Sequence, residues 1–397
     1  MSDSTSHPYR VLLYSHDSVG LGHTRRNLAL AHAIADQVPA ATGREVTGLL
    51  VTGADQAAGF DLPPGFDLVV LPGISKGRYG YEPRKMHLPM ATLIDVRERM
   101  LRGVMRGFAA DLVVVDRHVY GVDGELRRAL RALRRRSPTT RIVLGLREVL
   151  DSPSAMRREW AALGDLSEVR SVIDELWVYG DPAVHDVVAS GEVPAVLADL
   201  VQYTGYLATG RRLLPETEPT PTPYVLTMVG GGSDGGDLCR LAAVAAVPEG
   251  HQHLIVTGPE MTATERAEVT ALAGADTRVL SSVPDGLATI SGAAAVVSMA
   301  GYNTVCEVLV TDTPALLVPR ELPRQEQLIR ARALSRRGAF DLARRDALTA
   351  EGLSAWLAGA VTRTQSRSGI DRSGLAGVVD RVVALSTTTQ EVSHVAG

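Results

Sequence analysis

Ser298-Met-Ala-Gly-Tyr-Asn-Thr-Val-Cys-Glu307, followed by Thr313-Pro-Ala-Leu-Leu-Val-Pro-Arg320 and Pro323-Arg-Gln-Glu-Gln-Leu-Ile-Arg-Ala331, decides the fold of this chain. It reads as strand, glycine turn, helix, strand and polar loop. In a parallel sheet that order delivers a helix N-terminus, the Glu307 carboxylate and the Glu326-Gln327 pair to one crevice at the carboxyl ends of the strands. Open α/β sheets bind ligands there.

Outward from this stretch, strand-like apolar runs alternate with helical patterns along the whole chain, the signature of parallel α/β layers. The first half carries strand runs at Val11–Tyr14, Val46–Val51, Leu68–Leu71, Leu112–Val115, Ile142–Leu146 and Leu176–Tyr179, with helical patterns at Thr24–Gln37, Ala91–Phe108 and Asp123–Arg136. Leu213 to Pro223 is polar and proline-rich, unable to hold a helix or a central strand, and reads as a linker. The alternation then restarts with Tyr224–Val229, Leu254–Val256, Arg278–Leu280, Ala295–Val297 and Ala315–Val318. The expectation is an α/β protein of two Rossmann-like domains facing each other across a cleft. Residues 1–212 form the first, 213–223 the linker and 224–397 the second, with a final helix able to pack back on the first. A length of 397 residues fits two cores better than one. The ends, Met1–His7 and the residues from Ser386 onward, read as frayed.

A formal net charge of -4 gives no electrostatic footprint for nucleic acid. Two cysteines, Cys239 and Cys306, make neither a disulfide framework nor a CxxC metal site. Met1–His7 is polar, unlike a signal peptide, and no apolar run approaches the roughly 20 residues that span a bilayer. The expected setting is cytoplasmic and reducing.

Two glycine turns carry the chemistry. The first strand runs into Ser15-His-Asp-Ser-Val-Gly-Leu-Gly-His-Thr-Arg-Arg-Asn27, placing His23 near a helix N-terminus. Arg25 stands where a dinucleotide fingerprint needs its third glycine, so an NAD site is set aside. In the second half, Met228-Val-Gly-Gly-Gly-Ser-Asp-Gly-Gly236 follows a strand and opens a helix, a place where backbone N–H groups and the helix dipole favour phosphate oxygens. The same residues spell a nucleophile elbow around Ser233, but His251, His253 and His394 are poorly placed to serve it. The basic run Arg127–Arg136 is read as a solvated helix face in preference to a membrane-docking one.

These segments resemble the MurG-like group (glycosyltransferase family 28) and the UDP-glucuronosyltransferases, both of the GT-B type. Tyr14-Ser-His-Asp-Ser, Leu144-Gly-Leu-Arg-Glu-Val-Leu-Asp-Ser-Pro153 and Ile255-Val-Thr-Gly-Pro259 are similar to segments shared by a bacterial group of predicted MurG-like glycosyltransferases. The resemblance implies an inverting, metal-independent hexosyltransferase that takes a UDP- or TDP-linked sugar to a hydroxyl acceptor and needs no cofactor. It makes His23 the general base with Asp116 as its orienting acid, against competition from Asp17 and His16. A neutral imidazole accepts a proton near pH 7 and a carboxylate fixes its tautomer.

On the donor side it implies Gly231, Gly232 and Ser233 under the diphosphate, Val283 against the base, Gly301, Asn303 and Thr304 at the phosphate-facing helix start, and Glu307 on the ribose. Arg324, Glu326 and Gln327 then surround the sugar. Position 326 is Glu where the MurG-like pattern has Gln, which speaks against N-acetylglucosamine. His16, Gly22, Arg25, Arg78 and Arg147 fall on the acceptor side, with Asp151 as a candidate partner of Arg147. The loop Gly73–His87 is long and basic, which suits a polar or anionic acceptor. No Asp-x-Asp triplet occurs, so charge on the leaving diphosphate falls to amides, helix dipoles and arginines. Two other readings remain: a nucleotide-sugar 2-epimerase or hydrolase of the same fold, and a non-catalytic nucleotide-sugar-binding protein.

Overall fold

A computed structural model describes residues 7–16, 21–77, 80–212 and 222–395. Asp17–Gly20, Arg78 and most of the expected linker, residues 213–221, lie outside the described residues. The first sheet contains β1 (Tyr9–Tyr14), β2 (Val46–Thr52) and β3 (Phe66–Val70). After a small antiparallel hairpin of β4 (Ile74–Gly77) and β5 (Gly80–Pro83), it continues with β6 (Leu112–Asp116), β7 (Arg141–Arg147), β8 (Glu175–Tyr179) and β9 (Val201–Tyr203). Its seven strands are parallel in the order β3-β2-β1-β6-β7-β8-β9.

The second sheet holds β10 (Tyr224–Met228), β11 (Gln252–Val256), β12 (Thr277–Leu280), β13 (Ala295–Ser298), β14 (Ala315–Leu317) and β15 (Asp341–Leu342). Its order is β12-β11-β10-β13-β14-β15, again parallel. In the first half the helices are α1 (Gly22–Thr42), α2 (Met90–Phe108), α3 (Arg127–Arg136), α4 (Pro153–Ala162) and α5 (Leu166–Val172). The second half adds α6 (Gly236–Val244), α7 (Ala263–Leu272), α8 (Gly286–Ser291), α9 (Tyr302–Leu309), α10 (Glu326–Arg336), α11 (Ala350–Ala360) and α12 (Gly374–Val395).

Strand order reverses between β1 and β6 in one sheet and between β10 and β13 in the other. The carboxyl ends of these four strands are Tyr14–His16, Asp116, Met228 and Ser298, so both topological switch points bring the chemistry-bearing turns forward. Alternation along β1 divides its side chains between two cores: Val11 and Leu13 pack with Leu30 and Ile34 of α1, whereas Leu12 and Tyr14 face the opposite cluster. The cluster under α1 continues into the second half through Leu226, Val296 and Val305 and includes Val378, Val379 and Val382 of α12. The last helix thus lies against α1, and it runs on to Val395 where the sequence reads as frayed.

Several polar bonds join the halves. Arg330 of α10 and Glu148, just past β7, form a fully buried ion pair with Nε–Oε1 2.5 Å and Nη2–Oε2 3.0 Å. Tyr302 donates to the Tyr179 carbonyl at 2.9 Å and accepts from the Leu207 N–H at 3.2 Å. Arg26 and Arg330 lie over the Tyr302 ring at 5.7 and 5.6 Å.

The differences from the sequence reading have local causes. Helix α3 begins at Arg127, not Asp123, because Gly121, Asp123 and Gly124 hold left-handed backbone just before it. The loop Gly73–His87 contains the β4–β5 hairpin. The basic face of α3 is occupied within the molecule: Arg134 reaches Val172 O and Asp174, Arg127 reaches Leu163 O, and Arg131 pairs with Glu168. Among the described residues no helix is long and apolar enough to cross a membrane.

Leaving either charge of the Glu148–Arg330 pair alone in the interior costs about 3–5 kcal/mol. Arg330→Ala is therefore expected to lower the denaturant midpoint by that equivalent, while Glu148→Leu with Arg330→Met recovers most of it. An Arg330→Ala protein of unchanged stability contradicts the pair's role.

Candidate active site

A cavity of about 360 Å³ opens between the two sheets, lined by the first turn of α1, the glycine turn after β10, the loops after β11 and β12, and the starts of α9 and α10. On the first-sheet side, His23 stands in the first turn of α1, with its Nδ1 2.7 Å from Asp116 Oδ2 at the end of β6. Asp116 is buried beneath it and takes Arg26 Nη2 on both oxygens, at 2.8 and 2.6 Å. Burial alone raises a carboxyl pKa, but here Arg26 and then His23 outweigh it and hold Asp116 well below the usual carboxylate range. Arg26 Nη2 also lies 2.9 Å from His23 Nδ1. A guanidinium only donates and an ionised carboxylate only accepts, so the arrangement that satisfies all three groups puts the proton on Nδ1 toward Asp116. Nε2 is then the nitrogen left for a proton from the cleft.

Behind His23 sits His16, ring centroids 4.5 Å apart, and behind His16 sits His118 at 4.9 Å. Burial holds His16 well below the ordinary histidine value and His118 down to about 4, although Glu159 hydrogen-bonds to His118 at 3.1 Å. Both rings rest neutral at pH 7.

On the second-sheet side, the turn after β10 presses against the turn after β11. A Cβ on Gly232, whose φ is +97°, would lie 2.1 Å from the Thr257 carbonyl, and one on Gly258, at φ +83°, 2.4 Å from the Gly231 backbone. Only glycine allows these two backbones to meet and leave Gly230, Gly231 and Ser233 at the cavity wall. Helix α9 begins at the wall too: Gly301 is its N-cap, and the first intrahelical bond runs from Val305 N to Gly301 O, leaving the earlier N–H groups of the helix free of intrahelical partners. Ala300, with φ +64°, turns the chain into it and offers its carbonyl to Arg330 at 3.1 Å. Glu307, one face further along α9, also lines the cavity with Val283 and Gly286. Burial raises its pKa against the lowering pull of Arg211, 3.6 Å away, and of Arg25.

At the start of α10, Glu326 is buried, pairs with Arg320 through Oε1 and leaves Oε2 without a partner. Gln327 accepts from the Arg320 N–H at 3.1 Å. Arg320 also lies 3.0 Å from Asp234 of the glycine turn, so the loop before α10 and the turn after β10 are tied together.

The cavity brings together His23, Gly22, Arg25, Arg147, Gly231, Ser233, Val283, Gly301, Asn303, Thr304, Glu307, Glu326 and Gln327 from the sequence-predicted set. Asp116 stands behind its wall, in contact with His23. The remaining positions lie off the wall: a Cβ on Gly232 would face Thr257, Arg324 is not among the lining residues, and the His16 ring packs on His23. The Asn303 side chain donates to the Gly22 carbonyl at 3.0 Å and accepts from Arg211 at 3.4 Å, so it bridges the halves. No Arg147–Asp151 pair forms, because Asp151 accepts from the N–H groups of Gln325 and Ser152 at 3.0 and 2.7 Å. Arg78 and Asp17 lie outside the described residues.

Sequence reasoning missed Arg26, Glu148 and Arg330. Signals existed: Arg26 is one helical turn from His23, and Arg330 one turn from Glu326.

Comparison with known proteins bears on the fold. Residues 226–368 match the glycosyltransferase family 28 C-terminal domain. Solved structures with the same fold include Acinetobacter baumannii MurG, with TM-score 0.55 at 16% identity over 94% of this chain and 98% of that one. A UDP-glucosyltransferase from Polygonum tinctorium has TM-score 0.56 at 14% identity over 96% and 99%. The glycosyltransferase VinC in complex with dTDP has TM-score 0.55 at 16% identity over 98% and 99%. No curated protein matches the chain in sequence. Fold and domain match together make the chain a glycosyltransferase of the GT-B type. More particularly, its second half carries a glycosyltransferase family 28 C-terminal domain.

The neutral histidines set a pH response. His118 and His253, the latter buried against Thr227 Oγ1 at 2.8 Å, hold folded values of about 4 against 6.5 for the free group. Below pH 6.5 the unfolded chain takes up protons that the folded one refuses, so stability falls as pH drops from about 6.5 to 4 and is flat in this term above 6.5. The urea midpoint is expected to fall between pH 7.5 and 5, and to fall less in His253→Gln. Equal pH dependence in the two proteins contradicts the assignment.

Proposed function

We propose that the protein is an inverting glycosyltransferase that moves a sugar from a nucleoside-diphosphate sugar, UDP- or TDP-linked, to a hydroxyl acceptor. The observation that carries this reading is the His23–Asp116 pair at the cavity wall, facing the Gly230–Ser233 turn, the start of α9 and Glu307 across the cleft. Residues 1–212 hold the acceptor and residues 224–397 the donor. That UDP and dTDP are the nucleotides named with two of the similar structures supports the choice of donor. Cys239 and Cys306, both buried and unpaired, suit a reducing, cytoplasmic setting.

In this reading the diphosphate lies on the amides of the glycine turn and the N-terminus of α9, with Arg320 nearby. Glu307 accepts from the ribose hydroxyls, and Val283 and its neighbours bracket the base. Glu326 and Gln327 take sugar hydroxyls; the unpartnered Glu326 Oε2 is an acceptor suited to one of them. The acceptor oxygen attacks the anomeric carbon from the face opposite the diphosphate. Its proton passes to His23 Nε2, the imidazolium being stabilised by Asp116, and the electron pair of the breaking C–O bond leaves with the diphosphate. Configuration at the anomeric carbon inverts. No metal is assigned a step, since the sequence lacks an Asp-x-Asp clamp and the cleft has cationic and amide donors for the leaving group.

His23→Ala is expected to lower kcat by about 10²–10⁴-fold, the range of general-base contributions, and to keep nucleotide affinity. Substantial residual turnover would sink the base assignment. Glu307→Ala is expected to weaken nucleotide binding by calorimetry roughly ten-fold or more, the worth of hydrogen bonds to a charged group; unchanged affinity refutes its ribose contact. Incubation with donor alone separates the other readings. Sugar release or isomerisation without an acceptor marks a hydrolase or epimerase, and binding without turnover on any acceptor marks a sensor.

A further inference from the structure

Arg147 is a cation of this cleft with a buried, unmet Nε that the mechanism leaves without an assigned contact. It closes β7, whose Gly145 pairs in register with Asp116 on β6, so it stands on the first sheet beside the His23–Asp116 pair and lines the cavity. The cations whose charges bear on it are Arg330, Arg26 and Arg117, and each is held by a carboxylate of its own: Glu148, Asp116 and Glu159. The nearby Glu326 is engaged by Arg320. Among the described residues Arg147 has no ion-pair or hydrogen-bond partner, and its Nε is buried and unmet. Burial, then Arg330 and Arg26, pull its pKa down to about 9. A guanidinium with its Nε buried and unmet among other cations is costly, and bidentate contact with a carboxylate or phosphoryl group is what its planar fork is shaped to make.

The donor diphosphate already has the glycine turn and the α9 N-terminus on the opposite sheet. Arg147 lies on the sheet that carries the base. We propose that Arg147 is the seat for an anionic group, carboxylate or phosphoryl, carried by the acceptor, so that the enzyme glycosylates a hydroxyl of an acidic molecule. This rests on the acceptor-side reading of the first half and adds the acceptor's chemical class.

The test titrates inorganic phosphate into protein saturated with UDP, by calorimetry, for the wild type, Arg147→Gln and Arg147→Lys. Phosphate is expected to bind the UDP-saturated wild type, at least ten-fold more weakly in Arg147→Gln and at an intermediate level in Arg147→Lys, with UDP affinity within two-fold in all three. Thermal melting confirms that each variant is folded. Acetate in place of phosphate tells a carboxylate seat from a phosphoryl one. Equal phosphate binding in wild type and Arg147→Gln, or none in either, overturns the proposal. Loss of UDP affinity in Arg147→Gln, with phosphate competing against UDP, assigns the arginine to the leaving diphosphate and overturns it too. A preference for UDP-glucuronate over UDP-glucose that vanishes in Arg147→Gln moves the anion to the transferred sugar, with the same consequence. If neither UDP nor TDP binds at all, the donor reading fails. Phosphate binding to the nucleotide-free protein that Arg147→Gln abolishes then still establishes the seat, and its persistence in that variant removes it.

Discussion

The buried pair between Glu148 and Arg330 is the contact on which the cleft depends. It fastens the end of β7 to helix α10, and the same guanidinium holds the Ala300 carbonyl at the turn into α9. One side chain thereby sets the spacing between the end of β7 in the first sheet and the starts of α9 and α10 in the second half. Such a pair is poor evidence of net stability, since desolvation offsets much of its attraction. Its value here is positional: with both members fully buried, any rearrangement that parts them strands two charges. Tyr302, with Arg26 and Arg330 over its ring and bonded to the Tyr179 and Leu207 backbone, extends the same seam toward His23.

With the halves so joined, two switch points face one cavity. Each supplies what the other lacks. The first sheet brings titratable side chains, a histidine oriented by a carboxylate that is itself clamped by Arg26. The second brings backbone dipoles, a glycine turn packed so closely on its neighbour that a Cβ has no room, and a helix whose first N–H groups are unsatisfied within it. Among the described residues Arg26, Arg320 and Arg330 at the cleft each pair with a carboxylate, whereas Arg147, with its Nε buried, does not.

Much of this was legible in the sequence because it is written in local patterns. The strand and helix periodicities, the Gly230–Gly236 turn, His23 after the first strand, and Glu307 one turn inside its helix are short-range signals, and the structure places them at one cavity. Asp116 was legible as a strand-terminal carboxylate, though only the parallel pairing of β1 with β6 brings it to His23. What stayed hidden is long-range. Glu148 and Arg330 are separated by 182 residues, and Asn303 and Gly22 by 281, distances over which no periodicity reports. Likewise the Arg97–Glu125 pair, fully buried, reads in sequence as two ordinary surface charges. Gly232 and Arg324 belong to cavity-lining segments without lining the cavity themselves, because direction within a turn follows from packing, which sequence does not show.

The most direct test of the account is a thermal-shift panel of UDP, TDP, GDP, ADP, NAD and NADP, run with and without EDTA. A selective shift with UDP or TDP that survives EDTA is the predicted result, because in the proposed reading Glu307 meets the ribose and the amides of the glycine turn and of α9 meet the diphosphate. A shift with NAD or NADP alone, or a nucleotide shift abolished by EDTA, would contradict it.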